Sequence, residues 1–180
     1  MSLNLQTSTS YNNPMRVIII GPMASGKSVV GKKLSKKLKM SFYDTDKEIE
    51  EAAGASIAWI FDVEGEKKFR DREYQILSKV IEMENCVIST GGGIILEEKN
   101  RKLLEKGTVV YLQTSIQSQL ERTMNDKERP LLQGNINKEE TLRKIASERN
   151  PVYEALTDIT IQETNTPDES VNAIIKELNL

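Results

Sequence analysis

Five short apolar runs punctuate the chain: Val17-Ile18-Ile19-Ile20, Ser41-Phe42-Tyr43, Cys86-Val87-Ile88-Ser89, Thr108 to Leu112, and Asp158 to Ile161. Each has strand length, and the most apolar of them lack alternation, as expected of strands buried on both faces. Between them apolar positions recur at helical spacing. This predicts helices over Lys27 to Leu38, Lys47 to Ala53, Ile57 to Phe61, Glu66 to about Met83, Lys99 to Glu105, Ser115 to about Arg122, Lys138 to Glu148 and Asp168 to Leu178. In the first helix Val29, Val30, Leu34 and Leu38 form the apolar side, and Lys32, Lys33, Lys36 and Lys37 a solvated one. Gly54 is placed to end the second helix and Ser56 to cap the third, while Pro151 marks a break after the seventh. Strands alternating with helices imply an α/β domain with a mostly parallel sheet covered on both faces, its ligands at the C-terminal strand ends.

Three segments sit at those ends. The first run leads into Gly21-Pro22-Met23-Ala24-Ser25-Gly26-Lys27-Ser28, which fits G-x-x-x-x-G-K-[ST] between a strand and a helix. A helix N-terminus carries unpaired N–H groups and partial positive charge, so it holds an anion. Gly21 and Gly26 let the backbone wrap a phosphate, Lys27 can reach the β- and γ-phosphates, and the Ser28 hydroxyl can ligate Mg²⁺. The second strand ends in Asp44-Thr45-Asp46. Asp46 or Thr45 can cap the following helix, and the two carboxylates can also orient Mg²⁺ through water and accept a hydroxyl proton. The third ends in Gly91-Gly92-Gly93, whose entropic cost is explained by close approach of another group or, alternatively, by a strained turn.

Composition narrows the chemistry. The 180 residues contain no histidine, so the commonest general base is absent and proton abstraction falls to a carboxylate, Lys, Tyr or Cys. The net charge of −2 gives no global pull toward nucleic acid or anionic membrane. No apolar run approaches the length of a membrane span. The single cysteine, Cys86, lies in an apolar run, reads as a small buried hydrophobe, and suits a reducing compartment. Residues 1–14 are polar and aperiodic and read as a disordered tail without the features of a signal peptide, so residues 15–180 are expected to form one cytoplasmic, monomeric domain.

Arginines complete the candidate site. Arg70 and Glu73 lie three residues apart on one helix, where they can pair. Taken alone they read as a surface pair worth about 0.3 kcal/mol. Arg129, in the polar stretch from Thr123 to Gln133, could stabilise phosphoryl charge, and otherwise is a solvated loop charge. Arg149, at a helix end beside Asn150-Pro151, likewise reads on its own as a solvated charge. These residues reach a P-loop kinase of a small anionic metabolite. Nucleoside-monophosphate kinases, sugar-acid kinases and P-loop ATPases without an acceptor remain open on this chemistry.

From Met15 onward the ordered set of the P-loop, Asp44-Thr45-Asp46, Phe69-Arg70-x-x-Glu73, Ser89-Thr90-Gly91-Gly92-Gly93, Arg129-Pro130-Leu131-Leu132 and Glu148-Arg149-x-Pro151-x-Tyr153 resembles the shikimate kinase family. The resemblance implies a three-layer P-loop kinase fold with a five-stranded parallel sheet in the order 2-3-1-4-5, a substrate-binding region over about 44–75 and a lid over about 123–134. It implies transfer of the γ-phosphoryl of ATP to the 3-hydroxyl of shikimate. Residues Gly21 to Ser28 and Val29 would hold the nucleotide, with Arg122 on adenine and Ser28 and Asp44 serving Mg²⁺. Asp46 would contact shikimate hydroxyls and act as base. Arg70 and Arg149 would grip its carboxylate, Glu73 would position Arg70, and Gly91 to Gly93 would line the acceptor. Arg129 would be the lid arginine, acting with Lys27 on the transferred phosphate. Many family members carry Gly where this chain has Ala24, and alanine there demands an ordinary φ unless the loop tolerates strain.

Overall fold

The computed structural model describes residues 15–124, 132 and 137–180. Five parallel strands, β1 (Arg16–Ile20), β2 (Ser41–Asp44), β3 (Cys86–Ser89), β4 (Thr108–Leu112) and β5 (Ile159–Ile161), form one sheet in the order β2-β3-β1-β4-β5. This is the order that the family resemblance implies. Register pairs Ile18 with Ile88 on one side and with Val109 on the other.

Successive residues of β1 feed opposite layers, because side chains alternate across a strand. Val17 and Ile19 pack with Val30 and Leu34 of α1 (Lys27–Leu38) and Val171 and Ile174 of α8 (Pro167–Glu177). Ile18 and Ile20 pack with Leu77 and Val80 of α4 (Glu66–Val80), Leu104 of α5 (Glu98–Leu104) and Tyr153 of α7 (Lys138–Leu156). A satellite cluster of Ile49, Ile60 and Phe69 joins α2 (Thr45–Ala53), α3 (Ile57–Val63) and α4. It holds together the region that follows β2. The remaining helix, α6 (Ile116–Thr123), follows β4.

Several boundaries differ from the sequence reading. The cap of α2 is Asp44, whose side chain accepts from the N–H groups of Asp46 and Lys47, so neither Thr45 nor Asp46 performs that role. A turn of 3₁₀ helix over Ile94–Leu96 follows the triple glycine. Pro151 does not break α7, which runs through it to Leu156. Proline removes one helical donor, but Leu142 before it and Tyr153 after it are both buried, and that docking keeps the axis continuous. Val29 leaves the core: it is 52% exposed, whereas Val30 and Leu34 carry the packing. Cys86 is fully buried, and burial pushes its thiol pKa up, as suits an inert core residue. No described helix is long and apolar enough to cross a membrane.

Candidate active site

The P-loop joins β1 to α1. Gly26 caps α1 with φ 85°, and a Cβ on Gly21 would lie 2.6 Å from the Leu112 carbonyl oxygen, so both positions require glycine. Ala24 sits at φ 59°, in the left-handed region, so of the two alternatives the loop takes the strained one. An L-residue there costs about 1 kcal/mol. The chain tolerates it where the Ala24 carbonyl accepts a hydrogen bond from Arg122 Nη1 at 2.9 Å. Lys27 is buried, and its Nζ donates to the carbonyls of Gly21 at 2.9 Å and Pro22 at 2.7 Å and to Ser25 Oγ at 3.2 Å. The ammonium therefore lies inside the curve of the loop. Ser28 Oγ is 3.5 Å from Ser89 Oγ, which brings the ends of β1 and β3 together.

Asp44 is buried, and its Oδ1 holds the N-terminus of α2. Its Oδ2 is buried without a hydrogen-bond partner. Such an orphaned carboxylate oxygen at the mouth of a P-loop fits a water-mediated divalent cation. No cluster of three or more acidic or cysteine side chains among the described residues could cage a metal.

Arg70 and Glu73 are not the surface pair that their spacing alone suggests. Arg70 is 8% exposed and Glu73 is fully buried, with Arg70 Nη1 donating to Glu73 Oε2 at 2.8 Å. Glu66, one turn earlier, accepts from Arg70 Nη2 at 3.0 Å and is a partner that sequence reasoning missed, although its i,i+4 spacing was visible. Burial pushes the Glu73 carboxyl up to about 7 against the pull of Arg70, and the nearby Asp46 carboxylate adds to the rise.

The triple glycine lies between these groups. None of the three has a positive φ, so the strained-turn reading fails. Close approach is what they serve. A Cβ on Gly91 would be 2.6 Å from Asp46 Oδ1, and one on Gly93 would be 2.6 Å from Arg70 Nη2. On the other side, a Cβ on Gly92 would be 3.3 Å from the Met23 nitrogen. The glycine turn is thus a thin partition between the P-loop and the side chains of Asp46 and Arg70. Arg149 reaches the same turn, its Nη1 donating to the Gly92 carbonyl at 3.1 Å.

A cavity of about 300 Å³ opens beside the P-loop and is lined in part by Ala24, Val29, Arg122, Glu163, Asn165 and Pro167. Glu163, which the sequence reading left unassigned, accepts from Arg122 Nη2 at 3.2 Å and from the Ser115 N–H at 3.0 Å. It holds Arg122 across the cavity edge. Arg129 lies outside the described residues, as do the proposed tail and all of the lid from 125 to 134 except Leu132.

A P-loop against one face of a glycine partition, with a carboxylate and two arginines against the other, defines a P-loop kinase of a small anionic acceptor. A family model described as shikimate kinase matches residues 23–179. The shikimate kinase of Buchnera aphidicola is 47% identical over 156 residues, covering 86% of this chain and 90% of that protein. The shikimate kinase 1 of Citrobacter koseri is 44% identical over 163 residues, covering 90% and 92%. A solved shikimate kinase from Acinetobacter baumannii, in complex with shikimate, superposes with a TM-score of 0.87 at 41% identity, covering 93% of this chain and 94% of that one. The chain belongs to the shikimate kinase family.

Proposed function

We propose that this protein transfers the γ-phosphoryl group of ATP to the 3-hydroxyl of shikimate, giving shikimate 3-phosphate and ADP. The observation that carries the proposal is the glycine partition, which brings Arg70, Arg149 and Asp46 together within reach of the P-loop. The family's activity and the shikimate complex of the Acinetobacter relative support the choice of acceptor over a nucleotide or another sugar acid.

In this reading Gly21 to Ser28 cradle the triphosphate, and Arg122, held by Glu163, packs on adenine beside Val29. Lys27 turns from the loop carbonyls to the phosphates. Ser28 and Asp44 would hold Mg²⁺, which would supply charge neutralisation at the phosphates. Arg70 and Arg149 grip the acceptor carboxylate, with Glu73 keeping Arg70 in place. Gly91 to Gly93 line the acceptor, and Asp46 orients the attacking hydroxyl and receives its proton. A carboxylate base is consistent with a chain that has no histidine. Arg129, from a lid over about 123–134, acts with Lys27 on the transferred group, while the region over about 44–75 shapes the acceptor pocket. Positioning and electrostatics supply most of the acceleration in such transfers. The protein works as a cytoplasmic monomer, with no nucleic-acid or membrane partner.

Coupled ADP release with shikimate, gluconate, AMP and water as acceptors tests the reading. Shikimate alone should give strong turnover. Turnover only with AMP, or equal turnover without an acceptor, would overturn it.

A further inference from the structure

Tyr153 is the tyrosine of the Arg149-x-Pro151-x-Tyr153 segment, and the roles above leave it without a task. Its side chain is fully buried, and its ring stacks on Tyr111 with centroids 5.1 Å apart. A buried phenol needs a hydrogen-bond partner. Tyr153 finds it outside its own helix, donating to the Gly92 carbonyl oxygen. Arg149 precedes Tyr153 by four residues, so both project from one face of α7. Arg149 Nη1 donates to the same carbonyl at 3.1 Å. One oxygen therefore takes two donors, as its two lone pairs permit. On the far side of the turn the Gly91 N–H donates to Thr45 Oγ1 at 3.2 Å, so two buried hydroxyls from different elements clamp the glycine partition.

We propose that Tyr153 is a positioning residue for the acceptor: by fixing the Gly92 carbonyl, it aims the Arg149 guanidinium into the acceptor pocket. Arg149 is anchored at one corner through Nη1, while its Nε is buried without a partner. An anchored fork with an unused N–H suits a ligand carboxylate. Without the tyrosine hydroxyl the carbonyl is free to rotate toward the arginine alone, and the orientation of the guanidinium loosens. Burial raises the Tyr153 pKa, so the hydroxyl keeps its proton throughout the working range.

Tyr153→Phe keeps the ring and its stacking and removes only the donor. The expected result is a rise of about tenfold in the KM for shikimate, since one ligand contact is weakened, with the KM for ATP unchanged. In an Arg149→Ala background the same substitution should add less than twofold. An unchanged shikimate KM, or an equal effect in both backgrounds, overturns the proposal. The proposal rests on the acceptor role given to Arg149 above, and the crystal structure of ligand-free Tyr153→Phe separates the two. A wild type without shikimate-dependent turnover sinks the functional reading. An Arg149 side chain oriented alike in variant and wild type sinks the positioning role, whatever the acceptor proves to be.

Discussion

Arg70 donates through Nη1 to Glu73 Oε2 at 2.8 Å, and the two side chains are 9% and 0% exposed. A buried pair loses hydration that an exposed pair keeps, so it is weak evidence for stability and better evidence for a site. Removal of one partner is the informative test. Arg70→Ala should raise the KM for shikimate by 10-fold or more, on the order of a lost charge-assisted contact, while the KM for ATP stays put. Steady-state kinetics with each substrate varied decides it. An unchanged shikimate KM would show the pair to be architectural only.

The same pair makes stability depend on pH. The Glu73 carboxyl is raised from its ordinary 4.5 to about 7, chiefly by burial. A group with a raised folded pKa contributes stability that is fully present below the unfolded pKa and is lost as pH rises through the folded one. Denaturant unfolding of wild type and Glu73→Gln between pH 4.5 and 7.5 should therefore show wild type losing stability relative to the variant across that window. A constant difference over the window would contradict the assignment to Glu73.

Gly93→Ala would place a methyl group 2.6 Å from Arg70 Nη2 and 2.8 Å from its Cζ. The guanidinium can shift more readily than backbone can, so the expected damage is to the acceptor site rather than to the fold. The shikimate KM should rise at least tenfold while Tm falls by a few degrees at most. A loss of Tm without any change in KM would mean that Arg70 does not meet the acceptor.

Asp46 approaches the partition at Gly91, its Oδ1 lying 2.6 Å from the place of a Gly91 Cβ. Asp46→Asn keeps the shape and removes the carboxylate proposed as the base. A general base is worth about 10²- to 10⁴-fold in rate. Turnover should fall by that amount with ATP affinity retained, measured by single-turnover kinetics and by nucleotide titration. Retained turnover would remove Asp46 as base.

Ala24 holds φ 59°. Ala24→Gly should raise Tm by about 2 °C, from roughly 0.5–1 kcal/mol of released strain, net of the entropy that glycine adds to the unfolded chain. Calorimetry is sufficient. A lowered Tm would show that the entropy glycine adds to the unfolded chain outweighs the strain at this position.

Much of the fold was legible in the sequence because its signals are local. Apolar runs of strand length, helical periodicity and the glycine-bounded P-loop each depend on near neighbours, and they placed all five strands to within a residue. Chain alternation then forces a parallel sheet, and with it the meeting of the P-loop, Asp44 to Asp46 and Gly91 to Gly93 at one edge. The strand order came from resemblance to a family, not from periodicity. What periodicity could not supply was burial and long-range pairing. Nothing within three residues of Arg70 distinguishes a solvated pair from one sealed under Gly93. Pro151 looks like a break until Tyr153 docks beyond it, and Val29 looks like core until the cavity beside the P-loop opens next to it. The Ala24 carbonyl accepts from Arg122, 98 residues away, a contact that no local pattern contains. Sequence by itself determined the elements, the phosphate loop and the roster of charged residues. Only tertiary structure decided which of those charges were desolvated and what each one touched, because desolvation depends on the whole packed surround rather than on the neighbouring residues of the chain.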